Sequence, residues 1–132
     1  MRIRLPLTVR YVETDAMCIV HHSAYVAWLE AGRVEWLERL GQPYAQIEAQ
    51  GVFFSVVELQ IAYRSPARFG EIVEVETWLS ELSSRKLRFN YRVWRKDALL
   101  SEGTTVHVST NRQGQVIRIP EGLFSILAQA LS

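Results

Sequence analysis

Apolar and polar residues alternate with a period of two at the start of the chain, which predicts a half-buried β-strand. The apolar positions of this strand are Ile3, Leu5, Leu7, Val9 and Tyr11. Between residues 24 and 40 the apolar period lengthens to three and four, which is typical of an amphipathic helix. Its apolar positions are Tyr25, Trp28, Leu29, Gly32, Trp36 and Leu40. Ser23 is the predicted N-cap and Gly41 the predicted stop.

The period of two then returns and predicts four further strands, with a short additional one at residues 116–119. The four are marked by apolar positions within 53–63, 73–79, 87–93 and 104–108. In the first of them, alternation places Phe53, Val57 and Tyr63 on one face. Pro120 opens a short C-terminal helix. Short connections between the later strands favour an antiparallel meander, so the pattern predicts one α+β domain over residues 1–132.

Composition narrows the classes of protein that this fold represents. The chain has 132 residues, of which 48% are hydrophobic and 22% charged, with a net charge of +1. This balance indicates a globular protein and gives no overall field that favours nucleic acid. No apolar run approaches the roughly 20 residues of a transmembrane helix. The single cysteine, Cys18, excludes an internal disulfide, and we expect a cytoplasmic protein.

Four segments carry a resemblance to a known family. They are TDAMCIVHHSAYVAWLEAGR from Thr14, IAYRSPARFGEIVEVET from Ile61, SSRKLRFNYRV from Ser83 and IRIPEGL from Ile117. Together they resemble the hotdog-fold acyl-CoA thioesterases of the 4-hydroxybenzoyl-CoA thioesterase type. The resemblance implies a hotdog fold, with an antiparallel sheet of about five strands wrapped around one long helix. It also implies a homotetramer built as a dimer of dimers, which needs no cofactor.

The resemblance also implies roles for individual residues. Asp15 takes the position of the catalytic carboxylate, and His22 that of the residue whose backbone N–H polarises the thioester carbonyl. Tyr25, one turn further on, takes the position of a pocket residue. Family members usually carry Gly at the position of Cys18 and often Asn at that of Ala24. The implied substrate is an acyl-CoA ester, with acyl carrier protein as an alternative carrier.

The chemistry of the residues fits this assignment independently. The first N–H groups of a helix lack internal partners and favour negative charge, so those at His22 and Ser23 suit a developing oxyanion. Asp15 suits a general base on water or a nucleophile, and the sequence leaves both roles open. His21 and His22 are adjacent, and adjacent side chains diverge, so the sequence favours no metal site. The apolar neighbours of Cys18 favour a packing role.

Substrate contacts are weaker predictions. Arg64, Arg85 and Lys86 lie near turns or strand ends, where coenzyme A phosphates could bind them. Aromatic residues in the helix and the following strand suit either an acyl pocket or the core. These are Tyr25, Trp28, Phe53 and Phe54. Glu58 suits a second carboxylate, but its alternation with apolar neighbours favours a solvent-facing position. Ile72, Trp78 and Trp94 on the far face predict self-association.

Two other functions remain open at this stage. A hotdog hydratase or dehydratase would act on the same esters with an acid and a His in one pocket. A non-catalytic acyl-thioester binding module would keep the pocket and lose the reaction. The resemblance of the segment around Asp15 to the hydrolases favours hydrolysis over both.

Overall fold

The computed structural model describes all residues from 1 to 132 and confirms the predicted α+β class. In chain order the elements are β1 (Arg2–Thr8), a 3-10 turn (Tyr11–Glu13), α1 (His22–Arg39), α2 (Tyr44–Ala49), β2 (Phe53–Tyr63), β3 (Ile72–Leu82), β4 (Lys86–Arg95), β5 (Ala98–Thr110) and α3 (Glu121–Gln129). Five antiparallel strands, one long helix and a short C-terminal helix are all present. None of the helices is long and apolar enough to cross a bilayer.

The five strands form one sheet in the order β1-β3-β4-β5-β2. Strands β3, β4 and β5 make the predicted meander. β2 lies outside it, because the chain crosses the sheet after Tyr63 and β2 pairs with β5 at the far edge. The short strand predicted at residues 116–119 is wrong. After the turn at Asn111, Val116 makes a single bridge to Thr110, and the chain then leaves the sheet.

A β-bulge in β2 changes which residues face the core. The register with β5 shifts between Val56 and Glu58. One extra residue moves the side chains on one side of a bulge to the opposite face. As a result Phe54 is buried and Phe53 only half-buried, whereas Tyr63 beyond the bulge faces α1. The prediction of one continuous face from Phe53 to Tyr63 is therefore wrong before the bulge.

Helix α1 begins two residues earlier than predicted. Its N-cap is His21 and not Ser23, and no side chain caps it. Its end is as predicted, with Gly41 in the left-handed conformation just after the last turn. Helix α2 was not predicted, because its six residues are too few to show a helical period.

Close contact with β3 fixes the position of α1 over the sheet. A Cβ added at Gly32 would lie 2.5 Å from Oγ1 of Thr77 and 2.9 Å from Cγ1 of Val75. The turns on either side of Gly32 bury Trp28 and Trp36 almost completely. The helical period predicted these buried positions, and the lack of a side chain at Gly32 lets the helix approach the sheet.

On the opposite face of the sheet, arginines cover the two tryptophans. The Arg2 guanidinium lies 3.9 Å from the ring centre of Trp78, and that of Arg4 lies 5.2 Å from Trp94. Trp78 is consequently buried within one chain. Ile72, by contrast, is exposed. The structure describes a single chain, so self-association through this face stays a prediction.

A buried polar chain runs between the helix and the β4–β5 pair. The Nδ1 of His107 lies 3.2 Å from the carbonyl oxygen of Phe54, which can only accept, so Nδ1 carries the proton. The Nε2 of His107 then accepts from the hydroxyl of Thr105 at 2.7 Å, and that hydroxyl accepts from Tyr91 at 2.7 Å. Burial, reinforced by the Arg33 charge, lowers the pKa of His107 to about 4, so it is neutral.

We predict that this histidine makes the fold sensitive to acid. An unfolded chain binds a proton at His107 near pH 6.5, whereas the folded protein resists it down to about pH 4. Stability should therefore fall by up to about 3 kcal/mol as the pH drops through this window. Urea unfolding across that range measures the loss. The His107→Asn variant should show a flatter dependence, and equal slopes in the two proteins would contradict the prediction.

Candidate active site

Asp15 lies in a tight turn between the 3-10 turn and α1. Its Oδ1 accepts hydrogen bonds from the backbone N–H groups of Met17 at 2.8 Å and Ile19 at 3.2 Å. Its own N–H donates to the carbonyl of Ile19 at 2.9 Å. The side chain is exposed, and Oδ2 has no hydrogen-bond partner in the protein. The turn thus holds the carboxylate by one oxygen and leaves the other free for chemistry.

The loop that carries Asp15 is bound to the rest of the protein along its length. Thr14 and Val20 form an antiparallel bridge that closes its base. The N–H of Val20 donates to the carbonyl of Ala67 at 2.9 Å, and the carbonyl of Cys18 accepts from Phe69 at 3.1 Å. Hydrogen bonds to the segment between β2 and β3 therefore fix the position of the loop.

Glu13 connects the base of this loop to α1. Its carboxylate is buried and accepts from the indole Nε1 of Trp28 and from the backbone N–H of Arg10, each at 2.8 Å. Burial alone would raise the pKa of Glu13, but these two hydrogen bonds and the Arg10 guanidinium bring it below its ordinary value. Glu13 is therefore ionised at neutral pH.

The start of α1 presents free backbone N–H groups. Neither His22 nor Ser23 has an acceptor for its amide, and the N-cap side chain of His21 makes no capping bond. Tyr63 donates its hydroxyl to the carbonyl of His22 at 2.9 Å, which fixes the first turn. Two unpaired donors at the positive end of an 18-residue helix form a site for a negatively charged oxygen.

An open pocket of about 330 Å³ lies beside this helix start. It is lined by Val20, His22, Tyr25, Tyr63, Arg64, Ser65 and Pro66. The structure thus brings three of the predicted residues, His22, Tyr25 and Arg64, to one place. Burial raises the pKa of Tyr25, so its phenol stays protonated. Tyr25 packs edge-on against Tyr63, with ring centres 5.1 Å apart.

The other predicted residues lie elsewhere. Asp15 is in the adjoining loop, outside the lining of the pocket. Arg85 and Lys86 lie at the β3–β4 turn, where the carbonyl of Arg85 accepts from Ser109. The pocket end of β5 is at Ser101, the partner of Tyr63, so eight residues of strand separate the two places, or about 26 Å. One chain does not bring Arg85 and Lys86 to the pocket.

The structure also locates the other residues that the sequence suggested for the site. Glu58 is exposed and bonded to Gln60, as its alternation predicted. Phe54 lines a separate cavity of about 330 Å³ with His107 and Val34, away from the helix start. Trp28 is buried in the core. No group of three His, Cys, Asp or Glu side chains is placed to hold one metal ion.

Sequence reasoning missed two residues of the site, Tyr63 and Glu13. Tyr63 ends a strand more than 40 residues after His22, so only the fold brings the two together. A charge among loop residues is ordinarily solvated, and Glu13 lacks any pattern that marks it as buried. An acidic residue two positions before Asp15 was the one available signal.

Comparisons with known proteins show the family of the chain. The family model described as "Thioesterase-like superfamily" matches residues 9–128. The candidate acyl-CoA thioesterase YneP of Bacillus subtilis is 34% identical over 108 residues, or 81% of this chain and 78% of its own. The acyl-CoA thioester hydrolase YbgC of Escherichia coli O6:H1 is 31% identical over 106 residues, or 80% and 79%.

A crystal structure of a hypothetical protein from Thermus thermophilus is 52% identical, with a TM-score of 0.95 and coverage of 100% of this chain and 99% of that one. Together with the match to the family model, this similarity confirms the predicted hotdog fold. The chain belongs to the thioesterase-like superfamily.

Cys18 provides a test of the loop conformation. Its φ of 59° lies in the left-handed region, which costs a non-glycine residue about 1–2 kcal/mol. We predict that Cys18→Gly stabilises the protein by about 0.5–1 kcal/mol, because relief of this strain exceeds the added flexibility of the unfolded chain. Cys18→Ala is the matched control, since it removes the thiol and keeps the strain. Chemical denaturation compares the two, and equal stability would contradict the prediction.

Proposed function

We propose that this protein hydrolyses acyl-CoA thioesters to a free acid and coenzyme A. Two features carry the proposal: the free carboxylate oxygen of Asp15, in the loop that leads into α1, and the unpaired N–H groups of His22 and Ser23 at the start of that helix. The names of the relatives YneP and YbgC support the same reaction.

The proposed reaction follows from these groups. The thioester carbonyl lies in the pocket with its oxygen toward the N–H groups of His22 and Ser23. Water or the carboxylate of Asp15 attacks the carbonyl carbon, and the negative charge that forms on the oxygen is stabilised by the two donors. Collapse of the intermediate breaks the C–S bond and releases the thiolate of coenzyme A. As a general base Asp15 takes the proton of water, and as a nucleophile it forms an anhydride that water then cleaves.

Tyr25, Tyr63 and Arg64 form the proposed binding surface for the substrate. Two tyrosine rings beside the helix start suit an aromatic acyl group, in keeping with the 4-hydroxybenzoyl-CoA type. Arg64 is more than half exposed and pairs with Glu102 at 3.2 Å, so it could exchange this partner for a phosphate. We further propose that residues 1–132 act as one domain, that no cofactor takes part and that the protein works in the cytoplasm.

The alternatives receive less support. A hydratase needs an acid and a His in one pocket, whereas here Asp15 bonds to its own loop and not to His22. An acyl-binding module without catalysis needs no free carboxylate oxygen beside the helix start. Both remain outcomes of the assay below, which also compares esters of coenzyme A and of acyl carrier protein.

We predict that Asp15→Asn lowers kcat for thiol release by about 100-fold or more. The amide oxygen can still accept from the N–H groups of Met17 and Ile19, so the turn should remain intact. A chromogenic thiol reagent follows release from short, long and aromatic acyl-CoA esters and from the matching esters of acyl carrier protein. Asp97→Asn, at an exposed turn, is the matched control and should keep full activity. Full turnover by Asp15→Asn would refute the proposed role.

We also propose that two copies pair through β2. This strand lies at the sheet edge for 11 residues, and four of its large apolar side chains are exposed. They are Val56, Val57, Leu59 and Tyr63. A long edge with apolar side chains is a template for pairing with another strand. A two-fold axis satisfies both copies at once, and a second contact through the far face would complete a dimer of dimers.

This pairing would bring Arg85 and Lys86 of each copy toward the pocket of the other copy. Antiparallel pairing of two β2 strands puts the Tyr63 end of one beside the Phe53 end of the other. The β3–β4 turn lies at this same end of the sheet, with the end of β5 between it and Phe53. The partner's Arg85 and the partner's Lys86 would then approach the pocket at His22, where they could bind the phosphates of coenzyme A.

We predict that Leu59→Lys abolishes the β2 pairing, since it places a charge at the centre of the apolar edge. Analytical ultracentrifugation at micromolar concentration should show a smaller assembly than for the wild type. Val116→Lys, at an equally exposed apolar residue outside β2, should leave the assembly unchanged. A monomeric wild type, or an unchanged assembly in Leu59→Lys, would contradict the proposal.

A further inference from the structure

Glu13 makes hydrogen bonds to three parts of the protein: to Arg10 before the Asp15 loop, to His21 after it and to Trp28 within α1. We propose that Glu13 is a positioning residue, which sets the place of the Asp15 carboxylate relative to the N–H groups of His22 and Ser23. The inference rests on the proposed hydrolysis, in which these groups act together on one carbonyl.

The side chain of Glu13 makes the first connection. Its Oε1 accepts from the backbone N–H of Arg10 at 2.8 Å, and its Oε2 accepts from the Trp28 indole at 2.8 Å. Trp28 lies on the second turn of α1 and is 3% exposed, so its ring cannot shift without repacking the core. One carboxylate thereby links the end of the first strand to the body of the helix.

The backbone of Glu13 makes the second connection. Its carbonyl accepts from the N–H of His21 at 2.9 Å, and His21 is the N-cap of α1. The same residue therefore holds the helix near its second turn and at its N-cap. The bridge between Thr14 and Val20 follows directly, and Asp15 is the next residue outward. A movement of Glu13 would be passed on to both reacting groups.

An ionised carboxylate that is 9% exposed is costly to bury, and here two hydrogen bonds offset that cost. An apolar residue would leave both donors without an acceptor. Each oxygen of Glu13 accepts a directed hydrogen bond from a different element. Directed bonds fix distance and angle, which apolar packing leaves adjustable. The two hydrogen bonds of Glu13 therefore suit a role in fixing the position of the loop relative to α1.

The experiment compares kcat and KM of Glu13→Gln, Trp28→Phe and the double variant in the thiol-release assay. Gln keeps the size of Glu13 but leaves one of the two N–H donors without an acceptor. Phe keeps most of the ring of Trp28 and removes its donor. Each single variant should lose about 10- to 100-fold in kcat with little change in KM, since a displacement near 1 Å is enough for such a loss. The double variant should lose no more than the poorer single one.

Trp36→Phe is the matched control for general damage to the helix. Trp36 is equally buried on α1 and donates its indole N–H to the carbonyl of Met1 at 2.9 Å, far from the loop. Its loss should lower thermal stability to a similar degree and leave kcat within about twofold. Wild-type kcat in Glu13→Gln, or an equal loss of kcat in Trp36→Phe, would overturn the proposal.

Hydrogen exchange gives a readout that does not depend on activity. The hydrogen-bonded amides of Asp15, Ile19, Val20 and His21 should exchange at least about 10-fold faster in Glu13→Gln than in wild type, whereas Trp36→Phe should leave them unchanged. Unchanged exchange in Glu13→Gln would overturn the positioning role. A folded wild type without thiol release would overturn the proposed hydrolysis, and the exchange data would then decide the positioning of the loop by themselves.

Discussion

The close contact between α1 and β3 at Gly32 is the constraint from which the rest of the structure follows. A side chain at that position would overlap Thr77 and Val75, so the helix lies at a height that only glycine permits. With the axis fixed, Trp28 and Trp36 are buried and the first turn meets the end of β2, where Tyr63 bonds to His22. The packing of Gly32 against β3 thus determines where α1 begins, although Gly32 lies some ten residues along the helix.

The candidate site lies at the start of α1, where the backbone N–H groups have no partner in the protein. Most helix starts are capped by a Ser, Thr, Asp or Asn side chain, and α1 is not. The free amides of His22 and Ser23 lack a partner in the protein, and the Asp15 carboxylate is held by its own turn in the loop that leads into the helix. Leaving donors unpaired costs some stability in the helix. In the proposed reaction these donors would stabilise the negative charge on the substrate without reorganisation of the protein.

The sequence predicted the local parts of this structure and missed those that depend on distant contacts. The helix and most strands follow from periods and residue types that act over a few positions. The bulge in β2 reversed the faces around Phe54 and Phe53, because one extra residue leaves no mark in an otherwise alternating strand. The resemblance assigned His22, Tyr25 and Arg64, which the fold does bring to one pocket. The contacts of Glu13 depended on a fold that no short pattern encodes.

The central claim is that the amides of His22 and Ser23 receive the carbonyl oxygen of an acyl thioester. NMR of the ¹⁵N-labelled protein tests it with two unreactive coenzyme A analogues, a ketone that keeps the carbonyl and a thioether that lacks it. A new hydrogen bond moves an amide proton downfield, so the ketone should shift the signals of His22 and Ser23 well beyond the thioether. Equal shifts with both analogues, or a carbonyl-dependent shift elsewhere in the protein, would contradict this account.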